Sequence, residues 1–322
     1  MTNVNAEQFS TQKEYYEYLR KLCLKIKNNQ LKIGQNVIKT VYPFLRNYKI
    51  EIEGEENIPR DSNVIFVVNH STSHDIFTAY EFLSLLKRRG SVMVATDCLN
   101  KPVTEIFNIS NATLLDRRNK EERKNAVLEL SKKIIDGNDG VIFGEGTWNL
   151  HPILPMHIIQ NGASKISSIA QVPIIPTIME YIEVDNPVNS DAELFKKCII
   201  RFGKPISNNY DIRAIEQSNI IREEMSLIRK QIWNNFEIKR EKISEIDPLL
   251  YVNHTYAKKF KALGFTYDSF YEQNYLLFNS NFKENEYTID EEGNFKAGIT
   301  EKNSKLRKKY TNFLNFFIYK KL

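Results

Sequence analysis

The chain has 322 residues, 42% hydrophobic and 26% charged, with 45 Lys and Arg against 40 Asp and Glu and a formal charge of +5. This balance excludes a disordered chain and leaves room for one large core plus an appendage; the small positive excess suits an anionic partner such as lipid headgroup, phosphate or nucleic acid. Cys23, Cys98 and Cys198 include no CxxC pair, which argues against a disulfide framework or a cysteine zinc site and fits a reducing cytoplasm. The N-terminus lacks the pattern of a secretory signal and no run of about 18 apolar residues exists, so any membrane contact is expected to be peripheral.

Three parts are expected: 1–47, 48–210 and 211–322. In the first, Thr11 with Glu14 forms a capping box, followed by Tyr15, Leu19, Leu22 and Ile26 at helical spacing. After Asn28 and Asn29, the segment LKIGQNVIKTVYPFLR again mixes apolar and basic residues. Two basic amphipathic helices form either an interfacial membrane hairpin or a pair packed on the core.

The middle part alternates strands and helices. Strands are expected at Val64–Val68, Val92–Ala95, Ala112–Leu115, Gly140–Phe143, Ile174–Ile178 and Cys198–Phe202, and a helix from an Asn119 cap to Asp136, stopped by Gly137. Such alternation predicts an α/β fold with a largely parallel central sheet flanked by helices, whose functional groups gather on loops at strand ends. The third part opens with an amphipathic helix at Arg213–Phe236, then loses periodicity through polar segments such as NSNFKENEYTIDEEGNF, which read as loosely ordered. It ends in KLRKKYTNFLNFFIYKKL, whose basic and aromatic residues suit a membrane interface, nucleic acid or docking on the domain.

The stretch VIFVVNHSTSHDIF carries the densest polar chemistry. In one continuous helix, His70 and His74 would share a face, as zinc ligands can. A strand over Val64–Val68 forbids that, placing Asn69 and His70 in the turn that follows and Ser71, Thr72 or Ser73 at the cap of a helix beginning near His74. Asp75 then lies in the first helical turn and can reach back to His70. A carboxylate accepting one imidazole N–H fixes the tautomer and makes the other nitrogen a base for a hydroxyl. No GxSxG elbow occurs, so the hydroxyl would belong to a substrate.

Taken with four later blocks, this stretch resembles the glycerolipid acyltransferases, the family of bacterial 1-acylglycerol-3-phosphate acyltransferases. NHSTSHD is similar to NHxxxxD, TLLDRR to the second motif, FGEGTW to FPEGTR or FPEGTS, VPIIPTIM to VPIIPV, and IIRFGKPI to the closing strand and turn, in order from about Asn57 to Ile206. The resemblance implies transfer of a fatty acyl group from an acyl-CoA or acyl carrier protein thioester to a lysophospholipid-like hydroxyl in phospholipid biosynthesis. No cofactor is needed beyond that co-substrate. Carried over by motif position, His70 is the general base, Asp75 orients it, Arg117 holds an acceptor phosphate, and Glu145, Gly146 and Thr147 shape the acceptor pocket. The expected partners are an acyl donor, a lipid or glycolipid alcohol and the cytoplasmic face of a membrane, not nucleic acid.

Departures from the pattern bear on the acceptor. Gly144 stands for the usual proline, Trp148 for a basic or small polar residue and Gln160 for a frequent lysine, while ATDCLNKP lacks a common lysine although Lys101 is near. Fewer cations and an indole favour a sugar face as an alternative acceptor, in a glycolipid or polysaccharide. Two other classes remain as alternatives, a zinc hydrolase using His70 and His74 and a non-catalytic membrane-binding protein.

Overall fold

In the computed structural model the described residues are 6–26, 36, 39–40, 43, 48–72, 74–96, 101–117, 119–146, 148–149, 154–183, 195–236, 285–289 and 295–298. Outside them lie Thr147, Cys98, most of the second basic segment and the basic aromatic terminus. The central sheet has seven strands: β1 (Lys49–Glu53), β2 (Ile65–Val68), β3 (Gly90–Ala95), β4 (Thr113–Leu115), β5 (Asp139–Phe143), β6 (Ile174–Glu183) and β7 (Phe195–Phe202). Their order is β1-β7-β6-β2-β5-β3-β4. The run β6-β2-β5-β3-β4 is parallel; β7 turns antiparallel to β6 and carries β1 parallel to itself.

All six expected strands are present, and the sheet is mostly parallel. β1, KIEIE, is the addition: an edge strand whose Glu51 and Glu53 meet Lys197 and Arg201 of β7 at 2.8 and 2.5 Å. Its charged, half-exposed residues gave no continuous apolar run to mark it. In a further antiparallel pair, β8 (Asn285–Ile289) lies within the polar segment read as loosely ordered and β9 (Phe295–Gly298) begins at its last residue.

Alternation along β2 divides the core. Val64, Phe66 and Val68 face one layer with Ala79, Tyr80, Phe82 and Leu83 of helix α2 (Asp75–Leu85) and Phe107 of α3 (Lys101–Asn108). Ile65 and Val67 face the other, against α4 (Lys120–Ile135), α5 (Gly162–Ala170) and α6 (Ala214–Asn235). Since β2 is apolar on both faces and fully buried, its sequence shows a continuous run instead of alternation. Asn119 caps α4 as expected, accepting the Glu121 and Glu122 N–H groups, and Gly137 ends that helix region at φ +93°.

The outer helices are part of this packing. On α1 (Gln12–Leu24), Thr11 accepts the Glu14 N–H, but Glu14 reaches back to Ser10 instead of Thr11. Its most buried stripe is Tyr16, Leu19 and Cys23, against Leu128 and Ile169, with Tyr15, Leu22 and Ile26 partly buried beside it. Arg20 donates to the carbonyls of Ile169 and Ala170 at the end of α5. Helix α6 places Ile221, Met225, Ile228 and Ile232 in the second core layer, so the helix opening the third part packs into the sheet it follows. No helix among the described residues is long and apolar enough to cross a membrane.

Candidate active site

Register brings the site together. Val68 of β2 is paired with Phe143 of β5, so the residues two places beyond each strand, His70 and Glu145, leave the sheet side by side. Arg117 follows parallel β4 on the same carboxyl edge, where ligands of open α/β sheets collect. The chain from Asn69 to Thr72 is not helical, and α2 starts at Asp75 with His74 at its N-cap. His70 and His74 therefore do not share a helical face. Among the described residues no group of three His, Cys, Asp or Glu side chains is placed to hold a metal ion.

Asp75 reaches back from the first turn to His70, Nδ1 to Oδ2, at 2.7 Å. The same oxygen accepts the N–H groups of Ser71 at 2.6 Å and Thr72 at 2.9 Å, while Oδ1 accepts the Thr72 hydroxyl at 3.3 Å. A carboxylate surrounded by donors has only acceptor chemistry to offer the imidazole, so Nδ1 carries the hydrogen and Nε2 the lone pair. Asp75 is buried at 1% exposure, and these bonds fix both of its oxygens in place. The His70 ring is pinned against Phe143, stacked at 4.5 Å between centroids. The N-cap is His74, with no side-chain cap bond, so neither Ser71 nor Thr72 takes the capping position expected of them; Thr72 accepts the His74 N–H at 3.0 Å, and His74 makes an edge contact with Tyr48 at 5.9 Å.

Glu145 holds the other side of His70. Its Oε2 accepts the His70 N–H at 2.9 Å, and its Oε1 accepts Asn149 Nδ2 at 3.0 Å and the His157 N–H at 2.7 Å. With both oxygens engaged and 1% exposure, Glu145 shapes the site through the loops it ties, not by presenting an oxygen to an acceptor hydroxyl. Burial pushes its carboxyl up to about 7, against the opposing pull of the Arg229 guanidinium and the three N–H donors. Gly146 takes φ +70°, a left-handed position suited to glycine, and its carbonyl accepts Arg117 Nη1 at 2.5 Å. Gly144 has a different reason: a Cβ there would lie 2.7 Å from Val67 Cγ1 and 2.8 Å from Ile159 Cδ1, so packing and not ligand approach excludes a side chain.

The family model described as Acyltransferase matches residues 49–180, from β1 into β6 and through His70, Asp75, Arg117 and Glu145. Residues 49–180 are an acyltransferase domain. Among solved structures, the chain is similar to the 1-acyl-sn-glycerophosphate (LPA) acyltransferase, PlsC, from Thermotoga maritima, with 18% identity and a TM-score of 0.48 over 68% of this chain and 88% of that one. No curated protein matches the chain.

Three parts of this candidate site were not named from the sequence. Asn69 bridges β2 to β6, donating to Met179 O at 3.0 Å and accepting the Met179 N–H at 2.7 Å, which continues the ladder by one side chain and fixes where His70 begins. Its place in the NHSTSHD block was the available signal. Asn149 fastens Glu145 to Leu154 O, and Arg229 of α6 reaches Ser71; neither lies in a motif that announces it. The described cysteines offer no competing nucleophile: Cys23 and Cys198 are buried, with burial pushing the Cys23 thiol up to about 11 and the Cys198 thiol well above its usual range.

Proposed function

We propose that this acyltransferase moves a fatty acyl group from a coenzyme A or acyl carrier protein thioester directly to the hydroxyl of a lysophospholipid-like acceptor of the 1-acylglycerol-3-phosphate type. The observation that carries the reading is the His70–Asp75 bond at 2.7 Å, which leaves Nε2 as the base. His70 takes the hydroxyl proton as the oxygen attacks the thioester carbonyl; backbone N–H groups stabilise the oxyanion; the C–S bond breaks and the imidazolium returns the proton to the departing sulfur. The Ser71 hydroxyl accepts from Asn69 and Arg229, which supports direct transfer without an acyl-serine. Arg117, held at the rim by the Gly146 carbonyl, offers the planar guanidinium that suits a phosphate. The reaction would take place on the cytoplasmic face of a membrane, through peripheral contact.

A second acceptor class is favoured by one contact. The half-buried Trp148 stands edge-on to His70 at 5.9 Å, where an indole face can receive a sugar ring. A panel of lysolipid and glycolipid acceptors, with acyl-CoA and acyl carrier protein donors, separates the two by the acylated product formed. Replacing Trp148 with Ala should lower turnover of the glycolipid alone if that class is the substrate.

A further inference from the structure

Arg229 lies on α6, beyond the end of the matched acyltransferase segment at residue 180, and it is 4% exposed. Three of its nitrogens are each committed to a different element. Nε donates to Glu180 Oε2 on β6 at 2.7 Å, Nη1 to Pro155 O at 2.8 Å, and Nη2 to Ser71 Oγ at 3.3 Å. Trp233, one turn along α6, donates to the other Glu180 oxygen at 2.8 Å and lies under the guanidinium at 5.2 Å.

A buried ion pair is weak evidence for stability, since apolar residues of similar volume often pack as well. What an apolar side chain cannot do is donate to Pro155 and Ser71. Both bonds lead to the catalytic groups. Ser71 lies between His70 and Asp75, gives its N–H to the Asp75 carboxylate, and receives Asn69 at its hydroxyl. Pro155 belongs to the loop in which His157 donates to Glu145 and Leu154 accepts Asn149, so its position determines how Glu145 meets the His70 N–H.

We propose that Arg229 is a positioning residue of the transfer reaction, fixing from α6, through Ser71 and Pro155, the two loops that hold His70 and Glu145. The proposal rests on His70 acting as the base. It makes α6 part of the catalytic unit, and it requires a fork: a lysine at 229 keeps the charge but cannot address three acceptors in one plane.

The test uses the full chain with palmitoyl-CoA and 1-acylglycerol-3-phosphate, following thiol release for Arg229→Met, Arg229→Lys, Ser71→Ala, the Ser71→Ala/Arg229→Met double variant and His70→Ala. Misplacing a reacting group by about 1 Å costs about 100-fold, so Arg229→Met should lose about 100-fold in kcat with KM within about twofold. Arg229→Lys should recover about tenfold of that. Ser71→Ala should lose about tenfold, and the double variant should be no more than about twofold worse than Arg229→Met, because the two residues act through one contact. Unchanged kcat in Arg229→Met, or strictly multiplicative losses, would overturn the proposal. Should Arg229→Met lose its cooperative thermal transition, Ser71→Ala decides: a tenfold fall with Tm within about 3 °C supports it, and unchanged kcat refutes it. A His70→Ala variant that still turns over removes the underlying base assignment, whatever the Arg229 result.

Discussion

Asp75→Asn isolates the charge of the orienting carboxylate from its geometry. Three of the four donors to Asp75 converge on Oδ2: His70 Nδ1, Ser71 N–H and Thr72 N–H. An asparagine that places its oxygen there keeps all three, and its amide replaces only Oδ1, opposite the Thr72 hydroxyl. The His70 tautomer should therefore survive, and what is lost is the anion that stabilises the imidazolium formed during transfer. The Nδ1–Oδ2 separation of 2.7 Å puts the charge centres about 4 Å apart, worth about 4 kcal/mol at an effective dielectric of about 20. That corresponds to about a 1,000-fold fall in kcat. Weaker bonds at the head of α2 should also lower stability by about 2 kcal/mol. Steady-state thiol release gives kcat and urea denaturation gives the stability; a kcat within threefold of wild type, in a folded variant, would refute the role of Asp75.

Other substitutions test neighbouring parts of the account. Glu145→Gln directs an amide N–H at either the His70 N–H or the Asn149 and His157 donors and should cost at least tenfold in kcat, by the rate of thiol release. Because the folded-state pKa of Glu145 is raised to about 7, its contribution to stability is full below about 4.5 and is lost as pH rises through about 7; denaturant titrations at pH 4 and 8 should show about 3 kcal/mol of pH-dependent stability that the Gln variant lacks. Arg117→Lys should raise KM about tenfold for a phosphate-bearing acceptor and leave a neutral glycolipid acceptor unchanged, so an equal effect on both would count against a phosphate role. Gly144→Pro restores the common family residue but removes the N–H that donates to Val68 O at 2.9 Å, and should lower stability by about 1–3 kcal/mol in thermal unfolding.

The sheet was legible because its inner strands are buried on both faces and so appear as apolar runs, as in IFVV and DGVIF. The edge strand KIEIE was not, since half its residues meet solvent or a charged neighbour. His70 and Asp75 were legible for a local reason: a strand that must end and a helix that must begin within seven residues leave few arrangements for the side chains between Val68 and Asp75. Glu145 was placed at the site by its motif, but its bonding pattern depends on the β2–β5 register, which no single segment encodes. Arg229 depends on packing between α6 and β6 across a wide sequence gap, and an arginine on an amphipathic helix reads equally well as a solvated residue.

Acyl transfer by His70 is tested most directly by incubating wild type and His70→Ala protein of equal thermal stability with acyl-CoA or acylated carrier protein and 1-acylglycerol-3-phosphate, and quantifying free thiol and diacylated product together. Wild type should release one thiol per acyl ester formed, and His70→Ala should do neither above background. Ester formation by His70→Ala at a rate near wild type would contradict acyl transfer by His70.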